Sequence, residues 1–308
     1  MSPPRLSVVL PTYNRAESLR RALAALMQQS ADASSYEIVI VENNCTDGTR
    51  EMVKSIDDPR IRLVGEPRQG LAFARNTGVD AALAPIVAFT DDDVEVSRDW
   101  VETIVSSLDG NPSFDGVGGR VLPAWECGPR PTWLTREHWA PLALQDHGDT
   151  RAIFDRNHPI GLIGANVAFR REVFDRIGRF SPAVQRVKNG IGSTEDHELL
   201  ARLYEAGGRM LYQPHLLVLA RVQAERCDPA YHRRWHEGHG RFYALMRLAE
   251  VERARMSLFG IPGHLLRSAV RDAVEWLRSV FTGDWDHAFL AELRLRFFKG
   301  FVWTRLAR

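Results

Sequence analysis

The sequence is poor in cysteine and has none of the patterns that cysteine-dependent proteins show. Three cysteines, Cys45, Cys127 and Cys227, are spread over 308 residues without a C-x-x-C spacing. An odd number of distant thiols predicts neither a disulfide framework nor a structural zinc site. We therefore expect a reducing compartment, the cytoplasm, with the inner face of the plasma membrane as the alternative location.

A strong net charge and long apolar runs are also missing. The formal net charge is +1, and binding to a phosphate backbone normally requires a concentrated basic excess, so nucleic acid is not an expected partner. The first apolar run, Leu6–Leu10, is too short for a signal peptide, and we expect no membrane-spanning segment. The hydrophobic content of 44% is enough for one large core, as in a globular enzyme.

Short apolar runs alternate with helical patterns over the first third of the chain. Leu6–Leu10 stops at Pro11, and Ala16–Gln29 then places Leu19 and Leu23 at helical spacing. Further strands are predicted at Glu37–Val41, Ile61–Val64 and Ile86–Phe89, and further helices at Gly48–Ile56 and Leu71–Leu83. This alternation predicts an α/β fold with a mostly parallel central sheet flanked by helices.

Glycine-rich loops that would wrap a dinucleotide are absent. The loop after the first predicted strand, Pro11–Asn14, contains no glycine, so a G-x-G-x-x-G site is not supported there. Gly116–Gly119 is rich in glycine, but no helical pattern follows it, and a tight strand or a bulge is the better interpretation. Hydride-transfer chemistry is therefore not expected.

Three consecutive carboxylates, Asp91–Asp93, follow the predicted strand Ile86–Phe89. Carboxylates at the end of a buried strand are costly unless a cation satisfies them. Oxygen ligands suit a hard divalent ion, which usually reaches a protein on phosphate; a solvated turn or a helix cap is the alternative. The polar loops Pro11–Asn14 and Glu42–Asn44 end strands at the same expected sheet edge, which favours a metal-bound phosphorylated substrate.

Two acidic residues, Glu195 and Asp196, precede the helical run Leu199–Leu203. Acidic side chains in a first helical turn are favoured by the helix dipole, so a structural role is one interpretation. The other is that one carboxylate accepts a proton from an attacking hydroxyl group, a task that needs a positioned general base.

Six segments follow one another in an order that resembles the family 2 glycosyltransferases of the GT-A fold. They are Pro11–Arg15, Val41–Thr49, Ala74–Asn76, Asp91–Asp93, Gly164–Arg171 and Glu195–Glu198. Agreement in order among several motifs is far more specific than any single motif. The resemblance implies a nucleotide-diphospho-sugar donor (a UDP-, GDP- or dTDP-sugar) and a saccharide or lipid-linked acceptor.

The resemblance also implies roles for individual residues. Nucleotide contacts are expected at Pro11, Thr12, Tyr13, Asn14, Glu42, Asn44, Arg75, Asp91 and Asp92. Asp93 and Asp91 are expected to hold Mn²⁺ or Mg²⁺ on the diphosphate, and Asp196 is the expected base. Asn166, Glu195 and Glu198 are expected to orient the acceptor or the base. A single base without a second carboxylate nucleophile predicts one in-line displacement, with inversion at the anomeric carbon.

The chain departs from the pattern of these glycosyltransferases at two informative positions. Glu42 stands where aspartate is usual, which leaves the nucleotide preference open. Ala220 stands where these enzymes often carry a histidine near the metal. Arg221 or His215 is a candidate electrostatic substitute, although both positions also suit ordinary surface or packing roles.

The C-terminal part is helical, basic and rich in aromatic residues. We predict a catalytic domain over 1–255, with a nucleotide-sugar half over about 1–120 and an acceptor half over about 121–255, followed by amphipathic helices over 256–308. Those helices suit peripheral contact with a membrane surface. Packing on the catalytic domain or on a second copy of the chain, as in a homodimer, is the alternative.

Two other functions compete with glycosyl transfer. A sugar-phosphate nucleotidyltransferase would show a glycine-rich loop where this chain has Pro11–Asn14. A non-catalytic nucleotide-sugar-binding protein would keep the donor site and lose turnover, and Ala220 is the residue that favours it.

Overall fold

The computed structural model describes residues 3–126, 128–185, 187, 190–192, 194–252 and 256–307. Cys127 lies outside these ranges, as do residues 253–255 and 308 of the C-terminal segment. The chain forms two compact units. The first comprises residues 1–124, 143–182 and 195–221, and the second comprises 125–142, 183–194 and 222–308.

The first unit begins with alternating strands and helices, as predicted. These are β1 (Leu6–Thr12), α1 (Ala16–Met27), β2 (Tyr36–Glu42), α2 (Thr49–Lys54), β3 (Ile61–Gly65), α3 (Leu71–Ala81) and β4 (Ile86–Phe89). The four strands pair in parallel in the order β3-β2-β1-β4. β1, β2 and β4 are buried along their whole length, which explains their continuous apolar runs.

The rest of the sheet is mixed. The elements are β5 (Val94–Val96), α4 (Trp100–Asp109), β6 (Gly116–Trp125), β7 (Ala152–Phe154), β8 (Val167–Arg170), α5 (Val173–Ile177), α6 (Glu195–Glu205) and β9 (Met210–Val222). The full strand order is β3-β2-β1-β4-β8-β6-β9-β5, and β7 also pairs with β9. β8 is antiparallel to both of its neighbours, whereas hydrogen bonds at both ends of β6 and β9 join strands that run in the same direction. The α/β prediction is confirmed, but the unbroken run of parallel neighbours ends at β4, because β8 pairs antiparallel with both β4 and β6.

Two glycines of the first unit allow close approach of elements. Gly119 lies in β6, which confirms the strand interpretation of that glycine-rich segment, and a Cβ at this position would collide with the carbonyl oxygen of Leu216. Gly78 lies in α3, and a Cβ there would collide with the side chain of Val9 in β1. Glycine therefore fixes how closely α3 packs on the sheet.

The second unit is mainly helical. It contains α7 (Pro229–Met246), α8 (Ala249–Glu252), the short hairpin strands β10 (Ser257–Leu258) and β11 (Ile261–Pro262), α9 (Gly263–Thr282) and α10 (Trp285–Leu306). Ala244, Val251, Ile261 and Phe301 form its buried cluster. No helix in the described part of the chain combines the length and the apolar character needed to cross a bilayer. The division at residue 255 stays a prediction, since the compact units have different bounds.

Candidate active site

The carboxyl ends of β1, β2 and β4 bring three polar loops to one edge of the sheet, because parallel strands share their direction. Thr12, the last residue of β1, donates its hydroxyl hydrogen to Asp92 Oδ2 over 2.8 Å. Pro11 is buried beside Val41 in the strand register, and Tyr13 is half-buried. The first loop is thus bonded directly to the carboxylate triplet.

Arg15 is the protein's own cation at the triplet. Its Nη1 donates to Asp92 Oδ1 over 3.0 Å and to Asp93 Oδ2 over 2.8 Å. Burial lowers the pKa of the guanidinium, but Asp92 and Asp93 outweigh this effect and the pKa is raised. The sequence argument that these carboxylates need a cation is therefore met in part by the chain itself.

Burial is strongest at the middle carboxylate. The side chain of Asp92 is buried, and this raises its pKa to about 6, although Arg15 acts in the opposite direction. Asp91 is the most exposed of the three, with 28% of its side chain accessible, against 12% for Asp93. Asp91 and Asp93 are thus the two that a ligand can reach more readily.

The loop after β2 is held by side-chain to backbone hydrogen bonds. Asn14, with φ of 52°, accepts a hydrogen bond from the Thr46 N–H over 2.7 Å and so joins the first loop to the second. Asn44 also has a positive φ, 63°, and donates to the Pro67 carbonyl over 3.0 Å. Asparagine tolerates this left-handed backbone better than most residues, which explains both choices.

Glu42 is engaged within the protein. Its Oε1 accepts from the Cys45 N–H, and its Oε2 pairs with Arg50 Nη2 at 2.6 Å. Only 6% of the side chain is accessible. A nucleotide that uses this carboxylate would have to share it with Arg50.

Arg75 is the centre of a buried charge cluster. Its Nη1 donates to Glu195 Oε1 over 2.8 Å and its Nη2 to Asp91 Oδ1 over 3.3 Å, while its guanidinium lies 5.5 Å from the Phe180 ring centre. Burial lowers its pKa, but the charges of Asp91, Glu195 and Asp196 together raise it. The cluster therefore joins the triplet at β4 to the start of α6.

Asp196 lies in the first turn of α6 and accepts two backbone hydrogen bonds. The Gly164 N–H donates to Oδ2 over 3.0 Å, and the His197 N–H donates to Oδ1 over 2.8 Å. A Cβ at Gly164 would come within 2.8 Å of the Arg75 guanidinium carbon. Gly164 therefore contacts both Arg75 and Asp196, and only glycine fits this position.

The three residues predicted to orient the acceptor or the base are bonded within the protein. Asn166 is fully buried, with its amide bonded to the Arg120 and Leu216 carbonyl groups and its Oδ1 to Trp100 Nε1. These contacts support the sheet, and the role of Asn166 towards the acceptor or the base stays a prediction. Glu195 and Glu198 are each paired with an arginine, Arg75 and Arg202 respectively, so they position protein groups.

Ala220 lies beside the triplet, as the sequence pattern suggested. It pairs with Val94 in the sheet register, and the next residue, Arg221, donates its N–H to the Asp93 carbonyl over 3.1 Å. Arg221 also forms a salt bridge of 3.0 Å with Glu95. His215 is exposed and lies in the same strand, β9.

Sequence reasoning missed two charged residues that the fold brings to this edge. Arg15 was noted only as the last residue of the motif Pro11–Arg15. Its positive charge next to a loop at a strand end could have indicated a partner for the carboxylates. Glu66 follows β3 and is buried, and the guanidinium of Arg68 lowers its pKa to about 2. Its backbone carbonyl accepts from the Asn43 amide over 2.8 Å, which fixes the second loop.

The donor set suits a hard divalent cation only if the ligand supplies part of the coordination. Among the described residues, no group of three or more histidine, cysteine, aspartate or glutamate side chains could hold a metal ion. Mg²⁺ is usually held by one or two carboxylates together with substrate phosphates. Asp91 and Asp93 fit that pattern, because both are partly accessible carboxylates at the strand edge.

Known proteins resemble this chain in sequence and in fold. It is 36% identical over 121 residues to glycosyltransferase AglE of Haloferax volcanii, and this alignment covers 38% of this chain and 40% of AglE. It is 26% identical over 212 residues to the glucosyl-dolichyl phosphate glucuronosyltransferase of the same organism, and this alignment covers 68% of this chain and 66% of that enzyme. The chain thus spans less than two thirds of both relatives.

The solved mannosyltransferase PcManGT from Pyrobaculum calidifontis, in complex with GDP-Man and Mn²⁺, has the same fold. Its TM-score is 0.57 at 22% identity, with 95% of this chain and 86% of that chain covered. The predicted GT-A fold is thereby confirmed. Residues 7–178 match the family model described as glycosyl transferase family 2. Because this match covers more than half of the 308 residues, the chain belongs to glycosyl transferase family 2.

Proposed function

We propose that this chain transfers a sugar from a nucleoside-diphosphate sugar to a hydroxyl group of a saccharide or lipid-linked acceptor, with inversion at the anomeric carbon. The observation that carries the proposal is the buried Arg75, which contacts Asp91 at the end of β4 and Glu195 at the start of α6. One side chain thus joins the expected donor site to Glu195, the residue that precedes the expected base Asp196. In this proposal, residues 1–120 bind the donor and residues 121–255 the acceptor.

Asp196 is the residue that we assign as general base. Of the three acidic residues that open α6, Glu195 and Glu198 form salt bridges with arginines, whereas Asp196 accepts hydrogen bonds from two backbone N–H groups. It is also half-exposed, so an acceptor hydroxyl can approach it. The backbone donors orient the carboxylate, and the oxygen lone pairs that they leave are available for the proton of the attacking hydroxyl.

The pairing of Glu195 with Arg75 supports the proposed inverting course. A retaining double displacement needs a second carboxylate as nucleophile, and Glu195 is held by Arg75 with 2% of its side chain accessible. In a single displacement, Asp196 takes the hydroxyl proton while the acceptor oxygen attacks the anomeric carbon, and the bond to the nucleoside diphosphate breaks. Arg75 and Arg15 supply positive charge near the leaving diphosphate.

We propose Asp91 and Asp93 as ligands of a divalent metal on the donor diphosphate. Bound there, Mn²⁺ or Mg²⁺ would neutralise the charge that the leaving group develops. The oxygen donors fit such an ion, and PcManGT was solved with GDP-Man and Mn²⁺. Arg15 is bonded to Asp93, so a metal and Arg15 have to share or exchange this carboxylate.

A second candidate function is nucleotide-sugar binding without turnover. Ala220 favours it, because no imidazole stands at that position beside Asp93. A thermal-shift screen of UDP, GDP and dTDP with and without Mn²⁺ tests donor binding, since a ligand that binds only the folded state raises the unfolding midpoint. Transfer from UDP-, GDP- and dTDP-sugars to simple acceptors, followed by NMR of the anomeric proton, tests turnover and inversion. A shift without turnover would favour the binding protein, and no shift would exclude the donor site.

A further inference from the structure

Exposed apolar side chains are concentrated in the C-terminal part of the second unit. Sixteen large hydrophobic side chains are exposed among the described residues, and eleven of them lie between residues 256 and 306. Proteins rarely leave contiguous apolar surface in water unless that surface binds something. This part of the chain is therefore a candidate binding surface.

Four of these side chains form one stripe along α9. They are Val270, Val274, Leu277 and Phe281, with exposed fractions of 67%, 61%, 48% and 87%. Spacings of four, three and four residues place all four on one face of a helix. We call this set the α9 stripe.

The opposite face of α9 holds the helix in the second unit. Asp272 and Ser279 are buried, and Asp272 accepts a hydrogen bond of 2.9 Å from Arg294 of α10. Leu265 and Leu266 pack against the cluster that contains Phe301. The stripe is therefore not the contact that keeps α9 folded, and its exposure is not a sign of a loosely held helix.

A hairpin immediately before α9 carries three further exposed apolar side chains. Its tip, Phe259–Gly260, has positive φ at both residues, 51° and 74°, and Phe259 is 79% exposed. A bulky side chain in the left-handed region is strained, yet here it points into solvent. Met256 and Leu258 beside it are 70% and 56% exposed.

Arginines flank the stripe on one side. Arg267, Arg271 and Arg278 are exposed, and at 100° per residue they lie next to the stripe on the same helical flank. The acidic residues of α9, Asp272 and Glu275, are paired with Arg294 of α10 at 2.9 and 2.7 Å. Arg271 lies 3.9 Å from the already paired Asp272. This flank therefore presents an excess of positive charge.

We propose that the α9 stripe and the hairpin tip bind the surface of an anionic lipid bilayer, with α9 lying in the plane of the interface. The apolar side chains enter the acyl boundary while the arginines contact lipid phosphates, which is the pattern of interfacial amphipathic helices. A second copy of the chain would present the same arginines, which disfavours pairing through this face. This inference does not rest on the proposed function.

Vesicle flotation of the full chain tests the proposal. Vesicles of phosphatidylcholine alone are compared with vesicles of phosphatidylcholine and phosphatidylglycerol, at low and high NaCl. We expect flotation with the anionic vesicles and release by salt, because screening weakens attraction to the charged surface. The double variant Val274→Ser with Phe281→Ser should bind about tenfold or more weakly.

The arginines are tested separately. Replacing Arg267, Arg271 and Arg278 by glutamine should weaken binding to anionic vesicles about fivefold for each residue. The matched control is Leu83→Ser with Ile153→Ser, which removes two exposed apolar side chains elsewhere and should leave flotation unchanged. Unchanged unfolding midpoints show that all variants fold.

Two results would overturn the proposal. One is absence of flotation with the anionic vesicles at low salt. The other is a dimer in lipid-free buffer that Phe281→Ser dissociates, since the face would then bind a second copy. These α9 variants should leave nucleotide binding in the thermal-shift assay unchanged, because none of the replaced residues belongs to the candidate donor site. The membrane proposal and the proposed function can therefore fail independently.

Discussion

Arg75 and Glu195 form a buried ion pair of 2.8 Å although 120 residues separate them in the chain. Only 3% and 2% of their side chains are accessible. Removing one partner of such a pair leaves the other charge buried without compensation. The pair therefore couples the stability of the fold to the geometry of the candidate site.

The first prediction concerns this pair. Glu195→Ala should lower the free energy of unfolding by about 3 to 5 kcal/mol, as measured by urea denaturation. The matched control is Asp80→Ala, which removes the exposed salt bridge to Arg179 and should cost less than about 1 kcal/mol. Equal losses in the two variants would show that the Arg75 pair has no special role.

The second prediction concerns Asp196. Asp196→Asn should reduce glycosyl transfer by about 10² to 10⁴-fold, because an amide cannot accept the hydroxyl proton. Nucleotide binding in the thermal-shift assay should persist. Glu205→Gln, at the exposed end of the same helix, is the control and should keep full activity. Normal glycosyl transfer by the Asp196→Asn variant would show that Asp196 is not the general base.

The third prediction concerns the space beside Arg75. Gly164→Ala should displace the guanidinium and lower the unfolding free energy by about 1 to 3 kcal/mol, with a loss of transfer activity. Gly161→Ala is a matched control, because a Cβ there has no heavy atom within 4 Å. If both variants behave alike in denaturation and in transfer, the close contact at Gly164 is not important.

The fourth prediction concerns Arg15 and the metal. Arg15→Gln removes the guanidinium from Asp92 and Asp93 and should lower the unfolding midpoint, since a buried carboxylate loses its counter-ion. Added Mn²⁺ should raise the midpoint more in this variant than in the unmodified protein, and EDTA should reverse the gain. Arg20→Gln, exposed on α1, serves as control. If Mn²⁺ no longer changes the unfolding midpoint of this variant, Arg15 is required for metal binding and the prediction is wrong.

The fifth prediction concerns pH and His232. Burial of this side chain lowers its pKa to about 4, and its Nδ1 has no hydrogen-bond partner among the described residues. Unfolded histidine titrates near 6.5, so the unfolded chain takes up a proton that the folded chain refuses between about pH 6.5 and 4. Stability is therefore full above this window and falls as the pH is lowered through it.

The expected loss from this one group is on the order of 2 kcal/mol between pH 7 and 4, measured as unfolding free energy against pH. His138 adds to the effect through repulsion, and Asp228 opposes it. His232→Gln should flatten the slope, whereas His287→Gln should not, because Asp284 raises the pKa of the exposed His287. A slope that His232→Gln leaves unchanged would contradict the prediction.

The parallel half of the fold was readable from the sequence because three of its four strands, β1, β2 and β4, are buried along their whole length. Ile86–Phe89 was predicted with the bounds that the structure has, and each helix of this half was predicted within a few residues. The mixed half was not, since β6 is buried in its first four residues and half-buried towards its end, β9 alternates only in its second half, and the pairing of both strands depends on contacts distant in sequence. Local periodicity carries no information about such pairing.

The candidate site was predictable in its residue types and not in its pairing. Asp91–Asp93 and Asp196 were proposed because acidic side chains at a predicted strand end or helix start can be recognised from the sequence alone. The links between them were hidden, because Arg75 meets Glu195 only after α3 and α6 have folded onto the same sheet. The contacts of Asn166 were hidden for the same reason: its partners Trp100, Arg120 and Leu216 come from three distant segments.

Because Gly78 packs against Val9, the sizes of these two residues set the distance between α3 and β1. Arg75 lies one turn before Gly78 on this helix, so a change of a single methyl group at the back of α3 would translate the guanidinium relative to Asp91. Selecting Gly78→Ala together with smaller residues at position 9 offers a route for laboratory evolution. Such a library would change the distance between Arg75 and Asp91 while every side chain of the candidate site keeps its identity.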